Sequence, residues 1–310
     1  MTTHASRTAD ATARAAGAAT RERLGSQPAG DRVRGLLFQI VVFSAALIAI
    51  AGLIALIVQA AAKGWPRLNS DLLTNQPSSQ AEEGGFQSAI FGTLLIMAGV
   101  IVTVVPLGIG TAIYLEEFAD NTRWYNRLIE VNIQNLAAVP SIVYGILGLG
   151  IIVRGPLNLG FVAYAGSLTL SLLVLPTVIL ACRETLRAVP SSIREAALAL
   201  GATRWQTTRR QVLPAAIPGM VTGVILALSR AIGETAPLLL VGATVFVTFN
   251  PDGPFEGSYT ALPVAIFNYV ARPQEEFRIL AAAGIIVLLG VLLVMNSFAI
   301  WLRNRYATRW

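Results

Sequence analysis

The 310-residue chain has one cysteine, Cys182, and one histidine, His4. A single cysteine excludes an internal disulfide framework. The two residues together give no His/Cys metal site. Charge is also scarce: 13% of residues are charged and 55% are apolar, whereas a soluble domain carries about 25% charged residues. So little charge cannot cover a water-facing surface, which excludes a soluble globular enzyme and a disordered protein. The only lysine, Lys63, is followed by Gly64 and Trp65. A phosphate-binding P-loop needs Gly-Lys-Ser/Thr, so any ATP that drives this protein is bound by another chain, and no cofactor is expected in this one.

What the chain does have is long apolar runs. A bilayer core of about 30 Å needs roughly 20 apolar residues in a helix, because amides in lipid must bond internally. Six charge-free stretches are long enough: 36–62, 84–115, 131–153, 155–182, 211–229 and 279–302. The fourth opens on a turn, Gly155 to Gly160, which moves its helix start to about Phe161. The fifth continues past Arg230 and Glu234 towards Val247. An all-α polytopic membrane protein with six transmembrane helices is therefore expected.

Lysine and arginine set orientation. With the N-terminus inside, the inner segments hold seventeen Lys/Arg and the outer ones five. Both termini are then cytoplasmic, in the cell membrane. The net charge of +6 is a topology signal and gives no reason to expect nucleic acid as a partner. Residues 1–34 carry six arginines and read as a disordered cytoplasmic tail, with the transmembrane body from 35 to 310. Two outer segments, 63–83 and 248–277, read as solvated connections.

The cytoplasmic segment between spans four and five, 183–214, is the most informative. Pro190 ends the preceding helix. Ser192-x-x-Glu195 is a capping box for a new one. Ala196 to Leu200 are good helix formers. Gly201 can take the left-handed conformation that stops a helix, and a second helix runs to Leu213-Pro214. The expected product is a bent pair of short helices with an exposed edge of Ala, Leu and Trp. Short helices are marginal in water, so another protein is expected to cover this pair. Arg183 and Arg187, one turn apart, are expected to repel mildly and to meet lipid phosphates or that partner. Trp205 and Trp301 read as interface anchors.

Glu195-Ala196-Ala197, Gly201 and Leu213-Pro214, at this spacing and on the positive side, resemble the Glu-Ala-Ala loop of ABC-importer permeases. Gln211 departs from the pattern, which has an apolar residue there. The resemblance implies a type I importer permease fold whose coupling helix sits in a groove of an ATPase subunit. Glu195 then serves as cap, as docking surface, or as both. Further segments resemble phosphate-importer permeases: Gln134 to Gly145, Ile113 to Phe118, and above all Gly233-Glu234-Thr235-Ala236-Pro237, which resembles the A-type subunit of the permease pair. Leu262 to Asn268 and Arg303 to Tyr306 fit the same subunit. The resemblance covers about 35–310. It implies ATP-driven import of inorganic phosphate, with Arg230, Glu234, Thr235, Asn135 and Ser141 on the translocation path. It also implies a homologous PstC-type permease, two ATPase subunits carrying ATP and Mg, an extracytoplasmic phosphate-binding protein and membrane lipid as partners.

Arg230 and Glu234 are the one ionisable pair inside an expected span. Charge at mid-membrane costs about 2.5–3.5 kcal/mol on insertion scales, so it faces protein or water. At i, i+4 the two share a helix face and can pair. They either neutralise each other or hold a forked donor ready for a passing anion. Pro140 and Pro237 interrupt spans and serve as kinks or path-lining breaks. Gly145, Gly148 and Gly150 permit close helix packing. Rival readings are a permease for sulfate or molybdate, an ion-driven transporter or channel, and an intramembrane enzyme. The second would need intramembrane acids beyond Glu234. The third would need a catalytic constellation that the spans lack.

Overall fold

The computed structural model describes residues 29–120, 122–243, 247–251 and 253–306. Most of the expected tail, 1–28, lies outside the described residues. The chain divides into two units, Met1–Gln59 and Ala60–Trp310. The described part of the first is a single helix, α1 (Ala29–Gly64), which continues into the second unit. Its uninterrupted Leu, Ile, Val and Ala carry it about 54 Å at 1.5 Å per residue.

The second unit is also helical, and no strand occurs among its described residues. A 3-10 turn (Trp65–Arg67) and a short α2 (Asp71–Thr74) lead to α3 (Gln87–Ile113), which ends in a π-turn, Tyr114–Phe118. Then come α4 (Trp124–Ala137) and α5 (Ser141–Leu147), the latter running through a π-turn to Val153. The central helix is α6 (Ala163–Arg187). The loop helices α7 (Ser191–Ala199) and α8 (Arg204–Thr207) follow, and a π-turn joins α8 to α9 (Leu213–Ile232). The chain ends with α10 (Ala236–Leu240), α11 (Leu262–Val270) and α12 (Glu275–Tyr306).

Among the described residues, five helices are long and apolar enough to cross a membrane, and the α4–α5 pair makes a sixth crossing if it counts as one span. That pair is bent by 109°. The expectation of one span over 131–153 is therefore corrected to two segments. Pro140 is extended (φ −56°, ψ 138°), has no N–H to donate, and pushes Val139 out of the helical region. The fifth span also ends sooner than expected. α9 stops at Ile232, and Pro237 opens a separate short helix with Pro at its first turn.

Val100, Val104, Val178 and Cys182 form the centre of the main core between α3 and α6. Gly99 and Gly108 of α3 leave no room for a side chain against Ser167 and Val178 of α6. Such small-residue contacts let helices approach without an aqueous driving force. Ser167, Thr169 and Ser171 are buried, and each hydroxyl donates to a carbonyl four residues back, at 2.7–3.1 Å. Their polar atoms therefore enter the core satisfied. Ser229 of α9 donates to Asn296 of α12 at 2.7 Å, which ties those two helices.

The end of the second unit that holds 63–83 and 248–277 is packed, which corrects the solvated reading of those segments. Leu72, Phe86, Leu262, Tyr269 and Phe277 form a second core there. Arg67 donates to the carbonyls of Ala81 and Gly84 at 2.7 and 3.0 Å. The N–H of Leu262 donates to the hydroxyl of Thr93 at 2.8 Å, which fixes the start of α11 on α3.

Candidate functional site

Two regions carry the chemistry. One is the end of α9. Arg230 and Glu234 do meet, with Nε to Oε1 at 3.3 Å. The Arg230 side chain is 60% exposed and Glu234 16%. The carboxylate engages Nε, and among the described residues the two Nη groups have no partner. A guanidinium held by its stem nitrogen presents a free fork, which suits an oxyanion. Thr235 is half-buried just before α10 and makes no side-chain cap.

Asn135 is exposed near the end of α4, and Ser141 is half-buried at the start of α5. No hydrogen bond or ion pair among the described residues joins either to Arg230 or Glu234. Backbone packing does connect the segments. Gly145 of α5 leaves no room for a side chain against Pro237 and Leu240 of α10. Gly148 is equally tight against Thr169 and Val241. The broken helix α5 therefore rests on the segment that follows Glu234.

The second region is the loop of α7 and α8. Gly201 has φ +85°, the left-handed stop expected of it, with open space around it. Ile193, Leu198, Leu200 and Trp205 are exposed, Leu200 by 89%. Glu195 and Ala196 are exposed beside them, Ala197 half-buried, and Leu213 and Pro214 half-buried where α9 begins. The expected capping box is corrected. Pro190 stands at the N-cap of α7, so Ser192 lies inside the helix and caps nothing. The box forms one helix later: Thr203 accepts from the N–H of Gln206 at 3.2 Å, and Gln206 accepts from the N–H of Thr203 at 2.9 Å. Among the described residues Glu195 has no side-chain partner, which leaves it free at the surface.

Arg183 and Arg187 find partners within the chain. Arg183, buried to 3%, reaches Glu116 at 3.3 Å and Glu130 at 2.8 Å. Arg187 reaches the same two at 3.0 and 3.3 Å. Interleaved carboxylates turn the expected repulsion into a network that joins α4, α6 and the π-turn at the end of α3. Arg194 of α7 grips Glu117, with Nη2 to Oε1 at 2.7 Å. The π-turn at the end of α3 sends the adjacent Glu116 and Glu117 to different partners. It is closed by the N–H of Ala119 donating to the carbonyl of Tyr114 at 2.8 Å. Sequence reading missed these pairs because the partners lie 53 to 77 residues apart. The one local hint was two glutamates ending an apolar run.

Residues 104–308 match the family described as "Binding-protein-dependent transport system inner membrane component". The chain is 34% identical to the phosphate transport system permease protein PstA 1 of Mycobacterium tuberculosis, over 84% of this chain and 86% of that one. It is 34% identical to the phosphate transport system permease protein PstA of Haemophilus influenzae, over 76% and 82%. Among solved structures it resembles the bacterial alginate ABC transporter in complex with alginate pentasaccharide-bound periplasmic protein. That match has a TM-score of 0.62 at 15% identity and covers 90% of this chain and 97% of that one. It speaks to the fold alone.

Proposed function

Because the chain belongs to the family of binding-protein-dependent transport system inner membrane components, we propose that it is a permease subunit of an ATP-driven phosphate importer. Its relatives named as phosphate permeases align over most of its length, and that observation supports the substrate. ATP is bound and hydrolysed by a separate subunit. This chain is a multi-pass membrane protein that forms half of the pathway beside a homologous PstC-type permease. Both termini are cytoplasmic, so the exposed face of α7 and α8 meets the ATPase, whose subunits carry the ATP and Mg. An extracytoplasmic phosphate-binding protein delivers substrate to the opposite end.

Arg230 is the observation that supports the mechanism. A guanidinium that is 60% exposed on a spanning helix must face a partner or a water-filled path, since lipid would strand its charge. Its free Nη fork receives phosphate oxygens in passing. Glu234 holds the guanidinium in place and keeps the site weak, because transport needs release as well as entry. Thr235 adds a hydroxyl, and Asn135 and Ser141 line the bent segment that rests on α10. The loop residues Glu195, Ala196, Ala197, Gly201, Leu213 and Pro214 shape the surface that the ATPase moves. Alternating access then requires two global states, biased by nucleotide from inside and by loaded binding protein from outside.

The test is ATP hydrolysis by the reconstituted complex, with the binding protein loaded first with phosphate and then with sulfate. Stimulation by the phosphate form alone is expected. Stimulation by sulfate would keep the transporter and discard the substrate. Failure of any ATPase to assemble would remove the coupling reading.

A further inference from the structure

α7 buries no side chain. A nine-residue helix in water is marginal on its own, so something specific must hold it. Among the described residues, every side-chain hydrogen bond from α7 to the rest of the protein comes from Arg194. Its Nε donates to Glu117 Oε1 and Oε2 at 3.2 and 3.3 Å, and its Nη2 to Oε1 at 2.7 Å. Its Nη1 donates to the carbonyl of Val189 at 2.7 Å, and Nη2 to that of Leu186 at 2.8 Å. Glu117 is only 7% exposed. One guanidinium thus joins three elements: the loop helix, the π-turned end of α3, and the end of α6, through the Leu186 carbonyl and that of Val189 just past the helix, where cationic charge is favoured. Beside it a cavity of about 190 Å³ lies between Glu116, Glu117, Leu198, Arg204 and Thr207. Side-chain packing therefore leaves a gap next to the polar tie.

We propose that Arg194 is a positioning residue, a latch that fixes α7 to the inner ends of α3 and α6 so that displacement of α7 is passed to the spans. The latch rests on the coupling reading above and names the part that transmits it. Arg194 points inward while its neighbour Glu195 stays free at the surface, so the loop divides into an anchored face and a docking face. The fork matters as well as the charge, because a lysine at 194 could meet Glu117 or the carbonyls but not all three.

The experiment uses the full chain with Arg194→Gln, Arg194→Lys and Glu117→Gln. Amide hydrogen exchange on the detergent-solubilised chain is expected to rise about tenfold over residues 191–199 in Arg194→Gln, with 213–232 unchanged, since a marginal helix freed of its tether opens readily. Arg194→Lys should recover part of the protection. In the reconstituted complex, phosphate moved per ATP should fall about tenfold in Arg194→Gln while the ATPase still binds. Unchanged exchange over 191–199 overturns the latch, and so does unchanged phosphate per ATP. If Arg194→Gln loosens 213–232 as well, the decision passes to Arg194→Lys and Glu117→Gln on the same two readouts. A wild-type complex that moves no phosphate sinks the proposed function and is seen before any variant is made. The exchange arm, which needs no partner or substrate, then decides whether the latch exists.

Discussion

At Arg230 the side chain does two jobs that a substitution can separate. Nε pairs with Glu234, and the Nη fork is free. Arg230→Gln removes both charge and fork and should lower phosphate uptake at least tenfold, an expectation of order 1.4 kcal/mol or more, with complex recovery unchanged. Arg230→Lys keeps a point charge but not the planar fork and should retain intermediate uptake. Glu234→Gln frees the guanidinium to bind more tightly, so substrate release should slow. Recovery of wild-type uptake by the double Gln variant would show that the pair only neutralises itself. Gly201 gives a second residue-scale prediction. Its φ of +85°, with open space around it within this chain, makes the cost to the chain itself conformational. Ala there should cost about 1 kcal/mol, a β-branched Val more, and Asn less, because Asn tolerates the left-handed region. Co-purification of the ATPase should fall in the order Asn, Ala, Val while membrane insertion stays constant. These residues were legible in the sequence because their roles are local: a glycine at a stop, and a charged pair one turn apart.

Elements were legible where one physical effect dominated and obscure where two competed. Long apolar runs gave the spanning helices, since lipid permits little else. The same rule overreached at 131–153, where apolarity says nothing about direction and Pro140 turns the chain by 109°. The capping box expected at Ser192 and Glu195 forms instead at Thr203 and Gln206. With Pro190 as its N-cap, α7 begins two residues too early for Ser192 to cap it. Arg183 shows the limit of local reading most plainly. Its one-turn neighbour suggested repulsion, but Glu116 and Glu130, far along the chain, decide its environment. Removing a partner from such a buried cluster leaves uncompensated charge, at about 3–5 kcal/mol. Arg183→Met should therefore lower the thermal midpoint of the detergent-solubilised chain clearly. The double variant with Glu130→Gln should regain part of the loss, because it removes the one carboxylate left in excess while Glu116 keeps Arg187 as partner. Equal destabilisation by single and double variants would show that packing at Arg183 matters and the pairs do not.

For the whole molecule, orientation decides whether the other readings can hold. The excess of Lys/Arg on one side is the ground for the proposed orientation, with α7 and α8 in the cytoplasm and the second core, around Phe86 and Tyr269, outside. The coupling surface, the latch and the ATPase all require that arrangement. Cys182 is the only cysteine and is fully buried, so introduced thiols report without background. Ser79, in the outer loop, and Ala199, at the end of α7, are both exposed. In intact cells that lack the ATPase, Ser79→Cys should react with a membrane-impermeant maleimide. Ala199→Cys should react only after the membrane is opened. The reverse pattern would put the Glu195–Ala197 surface where no ATP is available, and coupling, path direction and the role of the binding protein would all fall with it. Labelling of both in intact cells would mean that the apolar runs do not seal the bilayer, which their length and burial argue against. The expected result makes the arginine asymmetry, set by the chain before any helix packs, the feature that decides which end of the pathway receives energy and which receives substrate.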